Sequence, residues 1–106
     1  MSQHIELARF TVKPEVVEDF LARRPAMLDT MRRRYPGFAS AHLARLEGDT
    51  WVDILFWDDI EQCHLAMAEV ADIPDIAAWL ALIDEVVSME EAPLVEPIAA
   101  DAGAAR

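Results

Sequence analysis

The sequence predicts an α+β fold with the element order β-α-β-β-α-β, the split βαβ arrangement of ferredoxin-like domains. Apolar and β-branched residues form extended runs at 4–12, 38–46 and 50–57, which indicates three strands. Apolar residues recur at helical spacing after the first run and again after the third. Short turn sequences, "YPG" and "EGD", separate these segments. We therefore expect helices packed on one face of a single antiparallel sheet.

Turn residues define the first half of the chain. Pro14 is placed to open the first helix, because proline is favoured at the first helical position. This helix should end at "YPG", residues 35–37. Gly48 can adopt a positive φ, so residues 47–49 predict a tight hairpin between the second and third strands.

Capping residues define the second half. Asp58, with Glu61 three residues later, has the spacing of a capping box and predicts a helix start. A further helix is expected over 74–88, and a last strand over 89–96. Pro93 within that strand indicates an edge position or a bulge, because proline cannot donate to the ladder.

The chain of 106 residues is long enough for one small domain. We expect that domain to span residues 1–98, followed by a flexible tail over residues 99–106 that has little to pack.

The charge and the composition exclude several classes of partner. A formal net charge of -11 disfavours nucleic acid and anionic membrane surfaces, which both require basic residues. Five of the nine basic residues lie between Arg23 and Arg34 and are expected on one face of a helix and in its last turn. Cys63 is the single cysteine, which excludes an intrachain disulfide. No basic leader with an apolar stretch is present, so we expect a cytoplasmic protein.

The third strand has two dissimilar faces. One face carries Val52, Ile54 and Phe56, and we expect it to lie against the helices. The other face carries Trp51, Asp53, Leu55 and Trp57, and is too apolar for solvent and too polar for a dry core. We expect this tryptophan face to meet the same face of a second chain, forming a homodimer that encloses a cavity between the two sheets.

Several polar residues are candidates for chemistry in that cavity. His42 and Asp53 lie on neighbouring strands of the hairpin, and a histidine oriented by a carboxylate is a usable general base near neutral pH. The alternative is a hydrogen bond that only satisfies two half-buried polar groups. Glu6, if it lies beside Asp53, is expected to have a raised pKa. His4 and Tyr35 are further candidates for contact with a ligand.

The side chains expected to stack on the substrate are Trp51 and Trp57. No tight ligand spacing indicates a metal site, and with three glycines in the chain there is no phosphate-binding loop. We therefore predict neither a metal nor another cofactor.

Three segments together resemble a known family: "ELARFTVKPEVVEDFLARRPAMLDTMRRRYPGF", "WVDILFW" and "AAWLALIDEVVSMEE". They are similar to the antibiotic biosynthesis monooxygenase-like group of the dimeric α/β-barrel superfamily, over roughly residues 4–97. The resemblance implies a homodimeric α/β barrel. In the quinone-forming members an Asn and a Trp lie four residues apart on the third strand. Asp53 and Trp57 hold that spacing here, with a carboxylate in place of the amide.

The resemblance implies a cofactor-independent monooxygenase that acts on a planar aromatic or polyketide-like molecule by proton abstraction. A polyketide cyclase is an alternative, since that branch places a histidine at the start of the first strand, where His4 lies. A second alternative is a dimeric ligand-binding or structural protein without catalysis.

Overall fold

The computed structural model describes residues 3–96, which form one four-stranded antiparallel sheet with helices on one face. The strands are β1 (His4–Thr11), β2 (Phe38–Arg45), β3 (Thr50–Trp57) and β4 (Glu85–Pro93). The helices are α1 (Val17–Arg34), α2 (Ile60–Glu69) and α3 (Pro74–Leu80), with short 3₁₀ turns at Pro14–Val16 and Val70–Asp72. The strand order is β2-β3-β1-β4, so the predicted ferredoxin-like fold is confirmed. The tail expected over residues 99–106 lies outside the described residues.

The predicted turns position these elements. Gly48 has a φ of 64°, so the hairpin between β2 and β3 uses glycine where other residues would be strained. The helix α2 begins one residue later than expected, because Asp59 is its N-cap and accepts a hydrogen bond of 2.7 Å from the backbone N–H of Gln62. Within residues 3–96 no helix is both long and apolar enough to cross a membrane.

The helix predicted over 74–88 is shorter in the structure, and the last strand begins earlier. The helix α3 ends at Leu80, and β4 starts at Glu85 rather than at residue 89. Val86 pairs with Phe10 of β1, so the valines that continue the helical periodicity in sequence lie in the sheet instead. The free energy gained when these residues pair with the open edge of β1 outweighs their local helical periodicity.

The helices cover the tryptophan face of β3, which is the reverse of the prediction. Trp51 and Trp57 are buried within the chain's own core. The ring centre of Trp51 lies 5.5 Å from that of Phe20 on α1. Ile54 and Phe56 lie on the opposite face, which the described part of the chain leaves uncovered, and both are half-buried. The prediction that this second face packs against the helices is wrong.

The pairing of β2 with β3 separates His42 from the tryptophan face. The register between β2 and β3 shifts between Phe38 and Ser40. Beyond the shift, Leu43 pairs with Asp53, and His42 pairs with Ile54 on the uncovered face. The prediction that His42 and Asp53 point to the same side of the sheet assumed a two-residue turn and is wrong. The hairpin loop spans three residues, 47–49, closed by a backbone hydrogen bond of 2.8 Å from Leu46 to Thr50, and this register pairs Asp53 with Leu43.

Candidate functional site

A cavity of about 280 Å³ lies between the helices and the covered face of the sheet, within a single chain. The prediction located a cavity between two chains instead. The lining is almost entirely apolar, and Glu6 and Asp53 are its charged side chains. All three helices and strands β1, β3 and β4 contribute to it, through Glu6, Ala8, Phe10, Met27, Leu28, Met31, Asp53, Leu55, Trp57, Ala66, Met67, Ile76, Trp79, Leu80, Val86 and Met89, with Val70 and Ile83 from the connecting segments.

Glu6 is the lining carboxylate with the most unusual surroundings. It points from β1 to the covered face and is 7 % exposed. Its Oε1 accepts a hydrogen bond of 3.1 Å from Nε1–H of Trp57 and a longer one, 3.7 Å, from the Cys63 thiol. Burial raises the pKa of the Glu6 carboxyl above its ordinary value, the two hydrogen bonds lower it, and the nearby charge of Asp53 raises it further. The direction expected from the sequence is confirmed.

Trp57 connects this carboxylate to the aromatic core. It is 1 % exposed, and its ring makes edge contacts with Tyr35 and Phe38, at centre-to-centre distances of 6.2 and 5.3 Å. These contacts fix the indole, and its N–H in turn orients Glu6. Trp57 therefore lines the cavity and also positions the carboxylate beside it.

Asp53 pairs with Arg24, one of the basic residues expected on one face of the first helix. Arg24 on α1 donates two hydrogen bonds to the carboxylate, of 2.8 and 2.9 Å, and both residues are buried. The guanidinium carbon also lies 5.2 Å from the ring centre of Trp79. Because both carboxylate oxygens of Asp53 accept hydrogen bonds from one guanidinium, the main role of Asp53 is to compensate the buried charge of Arg24.

The contact predicted between His42 and Asp53 is absent. His42 is exposed on the uncovered face, where its ring lies 5.8 Å from that of Phe56 and its Nε2 lies 3.2 Å from the Ser40 hydroxyl. The prediction that Asp53 orients His42 is therefore wrong, because the two side chains lie on opposite faces of the sheet. No observation tests a catalytic role for either residue by itself.

The structure separates Trp51 and Tyr35 from the cavity lining. Trp51 packs beneath α1, with the guanidinium of Arg45 4.8 Å from its ring centre. Its Nε1 has no hydrogen-bond partner among the described residues. Tyr35 is buried, and its hydroxyl donates a hydrogen bond of 2.8 Å to Glu69. Substrate contact by these two residues stays a prediction.

His4 shares the covered face with Glu6 and Trp57. It does not line the cavity. Its Nε2 instead lies 2.7 Å from Oε1 of Glu91 on β4, and Nε2 of His64 on α2 lies 2.6 Å from the same oxygen. No motif in the sequence marks this cluster, since Glu91 and His64 meet His4 only through sheet register and helix packing.

Comparison with known proteins places this geometry in a family. The family model for antibiotic biosynthesis monooxygenase matches residues 4–73. SnoaB, a cofactor-independent oxygenase from Streptomyces nogalater, is similar in structure, with a TM-score of 0.60 and 26% identity over 94% of this chain and 98% of that one. A protein from Chloroflexus aurantiacus J-10-fl that is assigned to the same family has a TM-score of 0.67 and 18% identity, over 92% of this chain and 98% of that one.

A third similar structure, from Caulobacter crescentus CB15, is also assigned to this family and has a TM-score of 0.73 at 13% identity, over 90% of this chain and 92% of that one. Comparison with curated protein sequences finds no significant match. The family model covers well over half of the chain, and the chain therefore belongs to the antibiotic biosynthesis monooxygenase family.

Proposed function

We propose that the protein is a monooxygenase-type enzyme that binds a planar aromatic or polyketide-like molecule in the cavity, with Glu6 as the base that removes a proton from it. The observation that carries this proposal is the Glu6 carboxylate, hydrogen-bonded to the indole of Trp57 in an almost entirely apolar cavity whose other charged side chain, Asp53, is already paired with Arg24. Family membership and the likeness to SnoaB support the oxygenase chemistry.

The size of the cavity supports a ligand of fused rings. Its volume of about 280 Å³ is roughly twice that of the ~150 Å³ engineered apolar cavity that takes up benzene. Four methionines contribute to the lining, Met27, Met31, Met67 and Met89. Thioether side chains adapt to irregular apolar shapes and make favourable contacts with aromatic rings, so this lining suits a flat apolar molecule.

The surroundings of Glu6 support the role of a base. Both of its hydrogen bonds are accepted by Oε1, which leaves Oε2 for the acidic hydrogen of a ligand. A carboxylate whose pKa is raised by burial takes up a proton more readily than an exposed one. Removal of a phenolic proton gives an electron-rich anion that dioxygen can oxidise. In balanced form, a phenol and dioxygen give a quinone and water.

The same chain is proposed to form a homodimer, through the opposite sheet face to the one expected from the sequence. Leu7, Ile54 and Phe56 lie half-buried on the face that the helices do not cover. Apolar residues in one patch of a sheet favour association with a second copy. The cavity then belongs to each chain separately, and dimer formation would cover the far side of the sheet that forms its floor.

Binding and turnover of a fused-ring phenol test this function. With 1-naphthol as the probe, calorimetry should show binding to the wild type and weaker binding to Trp57→Phe, which removes the indole N–H that orients Glu6. Glu6→Gln keeps the shape and an acceptor oxygen, so it should retain binding while losing oxygen uptake and quinone formation. His42→Ala is the control and should match the wild type.

Two results would redirect the proposal. Oxygen uptake that persists in Glu6→Gln would remove Glu6 as the base. Binding of 1-naphthol without any oxygen uptake by the wild type would favour the alternative of a ligand-binding protein of the same fold. A polyketide cyclase would convert a linear polyketide substrate without oxygen uptake, so product formation with no signal at an oxygen electrode would favour that alternative.

A further inference from the structure

Two imidazoles and one carboxylate converge at the edge of the sheet, outside the cavity. His4 comes from β1, His64 from α2 and Glu91 from β4. The Nε2 atoms of the histidines lie 2.7 and 2.6 Å from Oε1 of Glu91, and the three atoms all fall within 4.8 Å of one another. Three elements distant in sequence thus direct their ligand atoms to one point. None of the three residues contributes to the cavity lining.

This set of atoms matches the preferences of a divalent transition-metal ion. Two histidines and a glutamate are the protein ligands of one class of zinc site, which keeps its fourth position open. Imidazole also favours zinc over magnesium and calcium, which select oxygen ligands. A net charge of -11 raises the local concentration of cations around the chain.

The adjustment needed to hold an ion is small. In a tetrahedral site with bonds of about 2.0–2.1 Å, neighbouring ligand atoms lie about 3.3 Å apart. The two distances to Glu91 would therefore lengthen, and the two nitrogens, now within 4.8 Å, would approach each other. The side chain of His4 is 3 % exposed and fixed, whereas those of Glu91 and His64 are 31 % and 54 % exposed and can rotate. An ion would enter from solvent through the side of the cluster formed by the exposed side chains of Glu91 and His64.

We propose that His4, His64 and Glu91 form a binding site for a divalent transition-metal ion of the zinc class, held by both Nε2 atoms and the carboxylate. His4 is the rigid ligand, and the other two close on the ion from the surface. Each imidazole that now directs an Nε2–H at Glu91 would carry its proton on Nδ1 in the bound state, leaving Nε2 free to coordinate. The site is separate from the proposed enzyme cavity and does not depend on it.

Zinc binding by the chelator-stripped, untagged protein tests the proposal. Calorimetry with Zn²⁺ should give one site per chain, and Co²⁺ should give the visible absorption of a low-coordinate site. His64→Ala and Glu91→Gln should each weaken binding about tenfold or more, since each removes one of three ligands. Both positions are on the exposed side of the cluster, so these variants should fold, which circular dichroism verifies.

His42→Ala is the matched control. The chain has three histidines, and His42 is the one that lies outside the cluster, exposed on the opposite face. Its removal should leave the affinity for Zn²⁺ unchanged. The proposal is overturned if the wild type binds no Zn²⁺ at micromolar concentrations, if His64→Ala or Glu91→Gln binds as tightly as the wild type, or if His42→Ala loses binding to the same degree.

Discussion

The buried pair of Arg24 and Asp53 predicts a large loss of stability when either charge is removed alone. The side chains are 10 % and 7 % exposed and share two hydrogen bonds of 2.8 and 2.9 Å. Asp53→Asn removes the negative charge but leaves the arginine charge in place, shielded from water. Leaving one member of a buried pair uncompensated costs about 3–5 kcal/mol.

This loss is large compared with the whole stability of such a domain, which is ~5–15 kcal/mol. At about 4–8 °C per kcal/mol for a domain near this size, Asp53→Asn should lower the melting temperature by about 12 °C or more. Urea denaturation at one fixed protein concentration measures the change in unfolding free energy, with the concentration held constant because association would shift the midpoint.

The double variant Arg24→Met with Asp53→Leu separates a charge effect from a loss of packing. It removes both charges and keeps apolar side chains in the space they leave, so it should be more stable than Arg24→Met alone and close to the wild type. An Asp53→Asn variant that loses less than about 1 kcal/mol, the value of an exposed pair, would contradict the buried geometry. A double variant as unstable as the sum of the two single ones would show that the residues do not interact.

Three further outcomes follow from other parts of the molecule. Gly37→Ala should cost about 1–3 kcal/mol in urea denaturation, because its Cβ would lie 2.6 and 2.8 Å from Cγ and Cβ of Gln62, and an unchanged midpoint would contradict this packing. Burial raises the pKa of the Cys63 thiol from 9.0 to about 12. Ellman's reagent should therefore react with the folded protein at least about thirtyfold more slowly than with the unfolded chain, because the smaller thiolate fraction is only partly offset by the greater nucleophilicity of a more basic thiolate; equal rates would show an accessible thiol. Ile54→Asp should convert the proposed dimer to monomers in light scattering, and a dimer that survives the change must use another surface.

The fold was predictable because local signals agree with one another. The strand at 50–57 has the predicted bounds, and Gly48 supplies the positive φ that the hairpin requires. The error at 74–88 has a clear origin. The apolar spacing of α3 continues past Leu80 in sequence, but the free edge of β1 captures the following residues as β4. Helical periodicity cannot reveal an unpaired strand edge elsewhere in the chain.

The covered face was not predictable because alternation defines two faces without showing which one the helices occupy. Both faces of β3 carry large apolar residues, and the presence of Asp53 suggested the wetter side. The residue that makes Asp53 compatible with the core is Arg24, 29 positions earlier. No local pattern links them, and the neighbouring arginines made Arg24 resemble part of a basic helix face. The length of the β2–β3 loop similarly has no clear signal in sequence, and the register that it sets places His42 on the other side of the sheet from Asp53.

The walls of the cavity differ in stiffness, and this difference affects how a ligand would be held in the proposed function. Trp57 and Phe10 form a rigid floor on the sheet, since both are almost fully buried and in contact with other rings. Met67 of α2 and Met89 of β4 form a flexible wall, since both thioether side chains are exposed enough to move. A ligand would then be oriented by its contact with Glu6 and the flat floor, while the flexible wall adapts to its outline. Under the proposed function, selection would then depend on an acidic hydrogen at the edge of a planar molecule that faces Glu6, more than on a close match of shape.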